Sequence, residues 1–359
     1  MSTVAPILIM AGGTGGHVFP GLAVADALRA RGVPVVWLGT RAGLEARAVP
    51  AEGIPIEWLP VRGLRRNGVL GWAIAPFALL RATARAWRVI RRHRPRAVLG
   101  MGGYVAGPGG VAARLAGVPL VIHEQNAVAG LTNRILARLA RRVLCGFEGA
   151  FGKRPATVTG NPVRGAIRSL PVDRGPGGDP AAVPRLLVIG GSLGALALNT
   201  AVPAAVAALP AHRRPVVYHQ AGERTLETAQ AAYRDAGVDA QVVPFIDDMA
   251  QAYRWADLVI CRAGALTVSE LAIAGVAAIL VPLPAAVDDH QTRNARHLVA
   301  TGGGWLLPQD ALADGQLAAL LETCLDDRAA LRRHGDAARA LAAPEAAEAV
   351  AEHCLEVAR

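Results

Sequence analysis

The sequence contains few cysteines and few aromatic residues, and both shortages narrow the possible functions. The four cysteines, Cys145, Cys261, Cys324 and Cys354, are widely separated and form no Cys-x-x-Cys pair. This spacing argues against a disulfide framework or a zinc site and favours a reducing compartment. Aromatic residues make up only 4% of the chain, which leaves little for stacking nucleic-acid bases. We therefore rank nucleic-acid binding last, although the net charge of +10 predicts an anionic partner.

The sequence also lacks a convincing membrane-spanning helix and an N-terminal signal segment. A spanning helix needs about 20 apolar residues without strong breakers. The longest uncharged apolar run, residues 271–287, is interrupted by Gly275, Pro282 and Pro284. No basic-then-apolar segment begins the chain, so we expect a protein that is not exported.

Motifs that would hold a metal or a nicotinamide cofactor are missing as well. No Asp-x-Asp and no His-x-x-x-His occurs, so the sequence does not support a metal that holds a diphosphate, and we expect no cofactor. Charge on a leaving group would then be met by helix N-termini, backbone N–H groups and arginine. The first glycine-rich segment is neither a Walker A motif nor Gly-x-Gly-x-x-Gly.

Strand and helix patterns alternate along two successive halves of the 359-residue chain. Many predicted strands are continuous apolar runs, which is typical of a parallel sheet covered on both faces. They are residues 7–11, 33–38, 54–59, 97–101, 119–123, 142–145 and 157–159 in the first half, and 185–189, 215–219, 241–245, 258–261, 277–281 and 304–307 in the second. This order predicts two Rossmann-like, doubly wound α/β domains, residues 1–163 and 164–342. An amphipathic helix at 344–358 could pack back on the first.

The chain is organised around its first strand exit, where residues 7–11 run into glycines and then a helix. Gly12, Gly13, Gly15 and Gly16 allow a ligand to approach the main chain closely. Bare N–H groups at the start of the following helix form an anion site. His17 stands at the end of these glycines, either as a structural residue of the loop or as a catalytic one.

Other glycine-rich or polar segments follow later strands. They are residues 100–110, 123–126 and 190–194, and residues 262–267 precede a helix predicted at 267–274 with Glu270 in its first turn. Ligands of doubly wound sheets bind beyond the carboxyl ends of the strands, so these exits mark the functional edges.

No acidic residue occurs between Glu57 and Glu124, and this interval is rich in arginine and apolar side chains. On a helix, Leu79, Thr83, Ala86 and Ile90 would lie roughly opposite an arginine stripe. Arginines in such a run usually lie on a solvated helix face. Here the absence of acidic residues and the neighbouring aromatic side chains favour binding to an anionic membrane surface. The predicted membrane patch contains Trp72, Ile74, Phe77, Leu80, Arg81, Arg85 and Arg88.

Residues 190–194 also match Gly-x-Ser-x-Gly, the pattern of a nucleophile elbow. A hydrolase would need a later Asp and His, for which Asp257 or Asp288 and His290 or His297 are available. The competing hypothesis is that Ser192 donates a hydrogen bond to a phosphate held by the turn, which suits a two-domain nucleotide site better.

Several motifs, taken in order, resemble the MurG family of N-acetylglucosaminyltransferases, which convert lipid I to lipid II in peptidoglycan synthesis. They are the segments 12–21, 100–105, 123–126, 160–164, 190–192, 245–249, 265–270 and 288–294. The resemblance runs from about residue 7 to about residue 300 and is weakest at 170–184 and in the last forty or so residues.

The resemblance implies a GT-B fold and inverting transfer of GlcNAc from UDP-GlcNAc to the C4 hydroxyl of MurNAc in undecaprenyl-linked lipid I. It implies a peripheral enzyme at the cytoplasmic face of the plasma membrane, within a possible cell-wall synthesis complex. The substrate-binding residues that it implies are Thr14, Gly15, Gly16, Asn126, Arg164, Ser192, Ile246, Ala265, Leu266, Thr267, Val268, Ser269, Glu270 and Gln291. Gly13, Gly103 and Tyr104 would lie on the acceptor side, and His17 is the candidate base. A GT-B enzyme with another acceptor and a serine hydrolase remain alternatives.

Overall fold

A computed structural model describes residues 4–61, 69–172, 183–191, 194–284, 286 and 289–358, without the side chains of residues 69–75. The chain divides into two compact units. The first comprises Met1–Arg164 and Ala343–Arg359, and the second comprises Gly165–Ala342.

The first unit contains a seven-stranded sheet within the described residues, and all neighbouring strands are parallel. Its strands are β1 (Ile7–Ala11), β2 (Val35–Gly39), β3 (Ile56–Trp58), β4 (Ala97–Gly102), β5 (Leu120–Glu124), β6 (Arg142–Cys145) and β7 (Thr157–Val158). They lie in the order β3-β2-β1-β4-β5-β6-β7. The winding direction reverses between β1 and β4, and ligands bind at such a switch point in doubly wound sheets.

Helices cover both faces of this sheet. They are α1 (Gly15–Ala30), α2 (Glu45–Ala51), α3 (Val69–His93), α4 (Ala106–Leu115) and α5 (Leu131–Leu136). Successive β1 side chains alternate between two cores, since Ile7 and Ile9 pack with α1 whereas Leu8 and Met10 pack with α3 and α4. Both faces are therefore buried, as the continuous apolar pattern of β1 indicates.

The C-terminal helix belongs to this first unit. After the second unit the chain returns, and a helix at Ala346–Val357 packs on α1. Its buried side chains, Ala347, Val350, Ala351 and Cys354, join the same core as Ile7 and Ile9.

The second unit contains a six-stranded parallel sheet within its described residues. The strands are β8 (Arg185–Ile189), β9 (Val216–Gln220), β10 (Ala240–Val243), β11 (Leu258–Cys261), β12 (Ala277–Leu280) and β13 (Gly304–Leu306), in the order β10-β9-β8-β11-β12-β13. The helices are α6 (Gly165–Arg168), α7 (Leu196–Ala207), α8 (Leu226–Asp235), α9 (Met249–Trp255), α10 (Ala265–Ala274), α11 (His290–Ala300), α12 (Gln316–Asp326) and α13 (Arg328–Ala338), and the C-terminal helix is α14.

The predicted fold class of two doubly wound α/β sheets is confirmed, but the starts of two helices differ from prediction. From the sequence, the first helix was expected to begin at residue 21 and the helix that contains Glu270 at residue 267. The structure begins them at Gly15 and Ala265. Glycine is a poor helix former, yet burial of Val18 and Leu22 outweighs this preference in α1.

Candidate functional site

The first glycine-rich segment joins β1 to α1. Gly13 has a left-handed φ of +97°, which glycine adopts without steric cost. His17 is the third residue of α1, and its N–H donates to the carbonyl of Thr14 at 3.1 Å. Gly15 and Gly16 are the first two residues of α1, so their N–H groups lie at the positively polarised end of the helix. This end can stabilise an anion.

The segment after β4 lies against the first glycine loop. A Cβ added to Gly103 would lie 2.2 Å from the carbonyl oxygen of Gly12, and one added to Gly102 would lie 2.7 Å from Nδ1 of His17. Both glycines also have positive φ. Only glycine fits this close approach of two strand exits. The next residue, Tyr104, is exposed beside them.

A buried carboxylate that the sequence analysis missed holds the glycine loop from its other side. Glu45 is fully buried and accepts hydrogen bonds from Gly13 N–H at 2.9 Å, Thr40 N–H at 2.8 Å and the Thr40 hydroxyl at 2.7 Å. Leu44 N–H donates to the carbonyl of Gly13 at 3.2 Å. The Gly13 peptide is thus fixed at both its N–H and its carbonyl. No local sequence pattern marks Glu45 for this role, because Gly13 lies 32 positions away along the chain.

The segment after β5 carries Asn126 on a second buried carboxylate. Glu124 accepts from the backbone N–H and the side-chain amide of Asn126, at 3.0 and 3.1 Å. It also accepts from Gly130 N–H at 3.1 Å and from the Asn133 amide at 2.9 Å. Four donors to one carboxylate make this strand exit rigid and fix the position of Asn126.

His17 is linked to the same strand exit. Its Nδ1 lies 3.0 Å from Oε1 of Gln125, whose side chain is buried. The sequence analysis gave Gln125 no role of its own. Four neighbouring strands, β2, β1, β4 and β5, therefore converge on the loop that carries the candidate base.

Arg164 lies in the first unit. Its guanidinium carbon is 4.7 Å from the centroid of the Phe19 ring in α1, within cation–π range. The same ring would meet a Cβ on Gly15 at 2.9 Å. Arg164 thus packs on α1 beside the first glycine loop, and its position near the nucleotide stays a prediction.

The second unit repeats the glycine exit after β8. Gly191 and Gly194 have positive φ, and a Cβ on Gly194 would lie 2.2 Å from the carbonyl oxygen of Ala221. The amide of Gln220 donates to the carbonyl of Gly191 at 2.9 Å. The exit of β9 thus supports this loop. Ser192 lies outside the described residues.

Glu270 is not in the first turn of its helix, contrary to the prediction. Because α10 begins at Ala265, Glu270 is its sixth residue, where the helix dipole no longer acts on it directly. The side chain is 4% exposed, and the Tyr253 hydroxyl donates to its Oε2 at 3.0 Å. The carboxylate is positioned by α9 rather than by the start of its own helix.

The other predicted donor-side residues of α10 differ in their accessibility. Leu266 and Val268 are buried, as is Ile246 in the segment after β10. Thr267 and Ser269 are partly buried. The first turn of α10, preceded by Gly264, gives the second unit a helix N-terminus comparable to that of α1.

Gln291 lies in the first turn of α11, where its Oε1 accepts from Leu283 N–H at 2.9 Å. This contact ties the segment after β12 to the helix. Arg262, another residue that the sequence analysis did not use, donates to the Pro282 carbonyl at 3.2 Å and to Gln309 at 2.6 Å. Burial lowers the pKa of Arg262 from its usual value. These bonds fix the segment after β12, to which Gln291 is hydrogen-bonded.

A buried histidine supports the second glycine exit. His219 lies 2.9 Å from the Tyr233 hydroxyl through Nδ1 and 3.1 Å from Oδ1 of Asn199 through Nε2. The Asn199 amide in turn donates to the carbonyl of Ala221 at 3.0 Å. Gly194 packs against this same carbonyl, so the network holds in place the backbone on which the second glycine loop packs.

Stability should fall as the pH drops from about 6.5 toward 4. Burial lowers the pKa of His123 and of His219 to about 4, while an unfolded histidine titrates near about 6.5. Between these values the unfolded chain binds more protons. The free energy of unfolding therefore decreases by about 1.4 kcal/mol per pH unit for each histidine. We expect a lower urea midpoint at pH 5 than at pH 7. Native-state titration of either imidazole near pH 6.5, followed by NMR, would contradict this prediction.

The outer face of α3 carries arginine and large apolar side chains, and we call it the basic face. Phe77 is 75% exposed and Leu80 is 69% exposed, while Arg81, Arg85 and Arg88 are all exposed. Of the side chains predicted to lie opposite the arginine stripe, Ala86 and Ile90 are buried, Thr83 is partly buried and Leu79 is 51% exposed. The side chains of Trp72 and Ile74 lie outside the described part.

Asp257 cannot serve as the acid of a triad with Ser192. Its Oδ2 accepts from Arg185 N–H at 2.9 Å and from the Arg328 guanidinium at 3.0 Å. Arg185 begins β8, so Asp257 lies at the amino edge of the sheet, whereas Ser192 follows the carboxyl end of β8. The hydrolase hypothesis loses this candidate, and Asp288 lies outside the described residues.

Two family matches cover most of the chain. Residues 7–145 match the glycosyltransferase family 28 N-terminal domain, and residues 185–350 match the glycosyltransferase family 28 C-terminal domain. The chain belongs to glycosyltransferase family 28. The glycine-rich exit of β1 and the N-terminus of α1 lie in the first matched domain. The glycine-rich exit of β8 and the N-terminus of α10 lie in the second.

Full-length relatives carry one shared name. The chain is 65% identical over 356 residues, 99% of both chains, to a UDP-N-acetylglucosamine–N-acetylmuramyl-(pentapeptide) pyrophosphoryl-undecaprenol N-acetylglucosamine transferase of Alkalilimnicola ehrlichii. It is 57% identical to the protein of the same name from Halorhodospira halophila, over 99% of both chains. The crystal structure of Acinetobacter baumannii MurG matches with a TM-score of 0.81 and 44% identity, covering 98% of this chain and 99% of that one. The predicted GT-B fold is confirmed.

Two features are absent from the described residues. Of the helices in this part of the chain, none has the length and apolar character to cross a membrane. The same residues contain no group of three His, Cys, Asp or Glu side chains arranged to hold a metal ion.

Proposed function

We propose that this enzyme transfers N-acetylglucosamine from UDP-GlcNAc to the C4 hydroxyl of MurNAc in undecaprenyl-diphosphate-linked lipid I, which gives lipid II for peptidoglycan synthesis. The observation that carries the proposal is the 65% identity, over 99% of both chains, to a relative whose name states this transfer. The ordered glycine exits of both units support it, because each provides N–H groups for an anionic ligand.

The second unit binds the donor in this proposal. The N-terminus of α10 and the Gly190–Gly194 segment, with Ser192, meet the diphosphate, and Ile246 lies near the uracil. Glu270 accepts from the ribose hydroxyls, and Gln291 contacts the sugar through its amide. Arg164, which packs on Phe19, also contacts the nucleotide in this proposal.

The first unit supplies the acceptor side and the base. His17 removes the proton from the acceptor hydroxyl, with Asn126 and the Thr14–Gly16 segment around the acceptor and the sugar. Gly13, Gly103 and Tyr104 also lie on the acceptor side in this proposal. The acceptor oxygen displaces UDP from the anomeric carbon in a single step, which inverts that centre. Helix N-termini and backbone N–H groups stabilise the leaving UDP without a metal or cofactor.

The enzyme works as a peripheral protein at the cytoplasmic face of the membrane that holds its acceptor. The undecaprenyl tail stays in the bilayer, so the first unit must reach the surface. The basic face of α3 combines exposed apolar and arginine side chains, the features that bind anionic lipid surfaces.

Incubation with UDP-GlcNAc and a short-chain lipid I analogue in EDTA tests the proposal. We expect the disaccharide product to form at an undiminished rate. Failure with this acceptor but transfer to a soluble sugar would favour another GT-B acceptor. Covalent labelling of Ser192 by a fluorophosphonate would instead support a hydrolase.

Glu270→Ala should raise the KM for UDP-GlcNAc. The loss of a hydrogen bond to a charged group costs about 1.5–3 kcal/mol, which is roughly 10- to 150-fold. The variant should also discriminate less between UDP-GlcNAc and its 2′-deoxyribose analogue. Tyr253→Phe, which removes only the neighbouring hydroxyl, is the matched control and should have a smaller effect. An unchanged preference for the ribose substrate in Glu270→Ala would refute the ribose contact.

A further inference from the structure

Three side chains form a continuous hydrogen-bonded series from the end of β5 to the candidate base. Nε2 of His123 lies 3.0 Å from the carbonyl oxygen of Gly160. Nε2 of Gln125 lies 3.1 Å from Nδ1 of His123, and Oε1 of Gln125 lies 3.0 Å from Nδ1 of His17. His123 and Gln125 are buried. An imidazole or an amide can donate or accept, so the direction of the series depends on its anchors.

Two backbone carbonyls fix that direction. The Gly160 carbonyl can only accept, so His123 carries its proton on Nε2. Nε2 of Gln125 also lies 3.1 Å from the carbonyl oxygen of His123. This second acceptor identifies that end of the amide as the NH₂ group, and Oε1 therefore faces His17. Burial keeps the pKa of His123 at about 4, so its Nδ1 retains the lone pair that accepts from Gln125 at neutral pH.

We propose that Gln125 holds neutral His17 in the Nδ1–H tautomer, so that the lone pair lies on Nε2, the atom that removes the proton from the acceptor. An amide oxygen can only accept, and its partner on the imidazole must therefore donate. This proposal rests on the proposed function, in which His17 is the base. Gln125 and His123 touch no reacting atom and act as positioning residues.

The proposed tautomer accounts for every proton in the transfer. The sugar hydroxyl oxygen bonds to the anomeric carbon of GlcNAc while the bond from that carbon to the diphosphate oxygen breaks. UDP leaves with the electron pair, and the hydroxyl proton moves to Nε2 of His17. Nδ1–H stays bonded to Oε1 of Gln125, which stabilises the imidazolium.

The nearby carboxylates are occupied elsewhere. Glu124 accepts from Asn126, Gly130 and Asn133, and Glu45 accepts from Gly13 and Thr40. The group that orients His17 is therefore a neutral amide. It fixes the ring without adding the negative charge that would hold a proton on Nε2 in the resting enzyme.

Nitrogen-15 NMR of the imidazole in the intact protein tests the assignment directly. We expect His17 to show a protonated Nδ1 and an unprotonated Nε2 at pH 8, and His123 to show a protonated Nε2. Assignment of the two histidines comes from the single variants His17→Asn and His123→Asn. Observation of His17 with its proton on Nε2 would overturn the proposal, whether or not the enzyme is active.

Two variants of similar size separate the role of the acceptor from simple packing. Gln125→Met removes the acceptor, so the Nδ1–H tautomer should lose its dominance. The kcat should fall by less than the roughly 10²- to 10⁴-fold loss expected when the base itself is removed. The KM for UDP-GlcNAc should change little. Gln125→Glu keeps an acceptor toward His17, so it should keep the Nδ1–H tautomer. Its kcat should stay above that of Gln125→Met, although it can no longer donate to His123. Its added charge should move the acidic limb of the kcat/KM profile to higher pH.

The outcomes distinguish a failure of the role proposed for Gln125 from a failure of the proposed function, in which His17 is the base. Retention of the Nδ1–H tautomer in Gln125→Met would refute the role of Gln125 and leave His17 as base untouched. A fully active His17→Asn enzyme would refute the base, and with it the catalytic purpose of the series. Melting temperatures of the variants show whether a lost activity reflects misfolding.

Discussion

Replacing His17 with asparagine should lower kcat about 10²- to 10⁴-fold, the usual contribution of a general base. Asparagine carries an amide nitrogen close to the position of the imidazole Nδ1. It can therefore keep the hydrogen bond that His17 makes to Gln125 at 3.0 Å, but it offers no proton acceptor of suitable basicity. We expect the KM for UDP-GlcNAc to stay nearly constant, since the donor contacts of the proposal lie mainly in the second unit. The acidic limb of the kcat/KM profile should disappear.

The structural alternative makes a different forecast for the same variant. If His17 only holds the glycine loop, His17→Asn should retain most of the activity because the loop contact survives. His212→Asn is the control, since His212 is exposed in the second unit, away from any proposed contact. Near-normal kcat in His17→Asn, with an unchanged melting temperature, would exclude His17 as the base.

The strands could be predicted because parallel strands buried on both faces are continuous apolar runs. The predicted and observed bounds of β1, β6, β8 and β11 are identical, and the other strands differ by one or two residues at their ends. Helix starts were harder to predict where the chain is rich in glycine. Gly15 and Gly16 begin α1 although glycine favours a turn, because the exits of β2 and β4 pack around this segment.

Glu45 and Gln125 could not be found from the sequence, for a common reason. Glu45 bonds to Gly13 across 32 positions, and Gln125 bonds to His17 across 108. No local pattern encodes such a pair, since the strand order alone brings the partners together. Short motifs identify the loop that meets a ligand, but not the buried polar groups that hold the loop in shape.

Resemblance also reaches a limit at Glu270 and Arg164. A motif match transfers a role to a position but does not give the surroundings of the side chain. The structure adds Tyr253 beside Glu270 and Phe19 beside Arg164. Each predicted donor contact therefore involves a side chain that already has a partner, and the measured effect of a variant includes the change at that partner.

Changing Arg81, Arg85 and Arg88 to Glu should release the protein from anionic vesicles. Each basic residue near an anionic surface contributes about 1 kcal/mol, so the loss of three costs about 3 kcal/mol, or roughly 10²-fold in partitioning. The three added carboxylates weaken binding further. All three arginines are exposed on α3, so the fold should tolerate the change. Binding of the unmodified protein, measured by vesicle sedimentation, should weaken as salt rises.

Activity on two acceptors then separates membrane attachment from catalysis. The triple variant should lose activity on acceptor embedded in anionic vesicles and keep it on a short-chain soluble analogue, because α3 carries no proposed catalytic residue. The matched control changes Arg224, Arg234 and Arg332, three exposed arginines of the second unit, to Glu. It alters the net charge equally, so a general charge effect would weaken both variants alike. Equal binding of the unmodified protein to neutral and anionic vesicles would refute the electrostatic part of the prediction. Attachment would then depend on apolar side chains of the patch, such as Phe77 and Leu80.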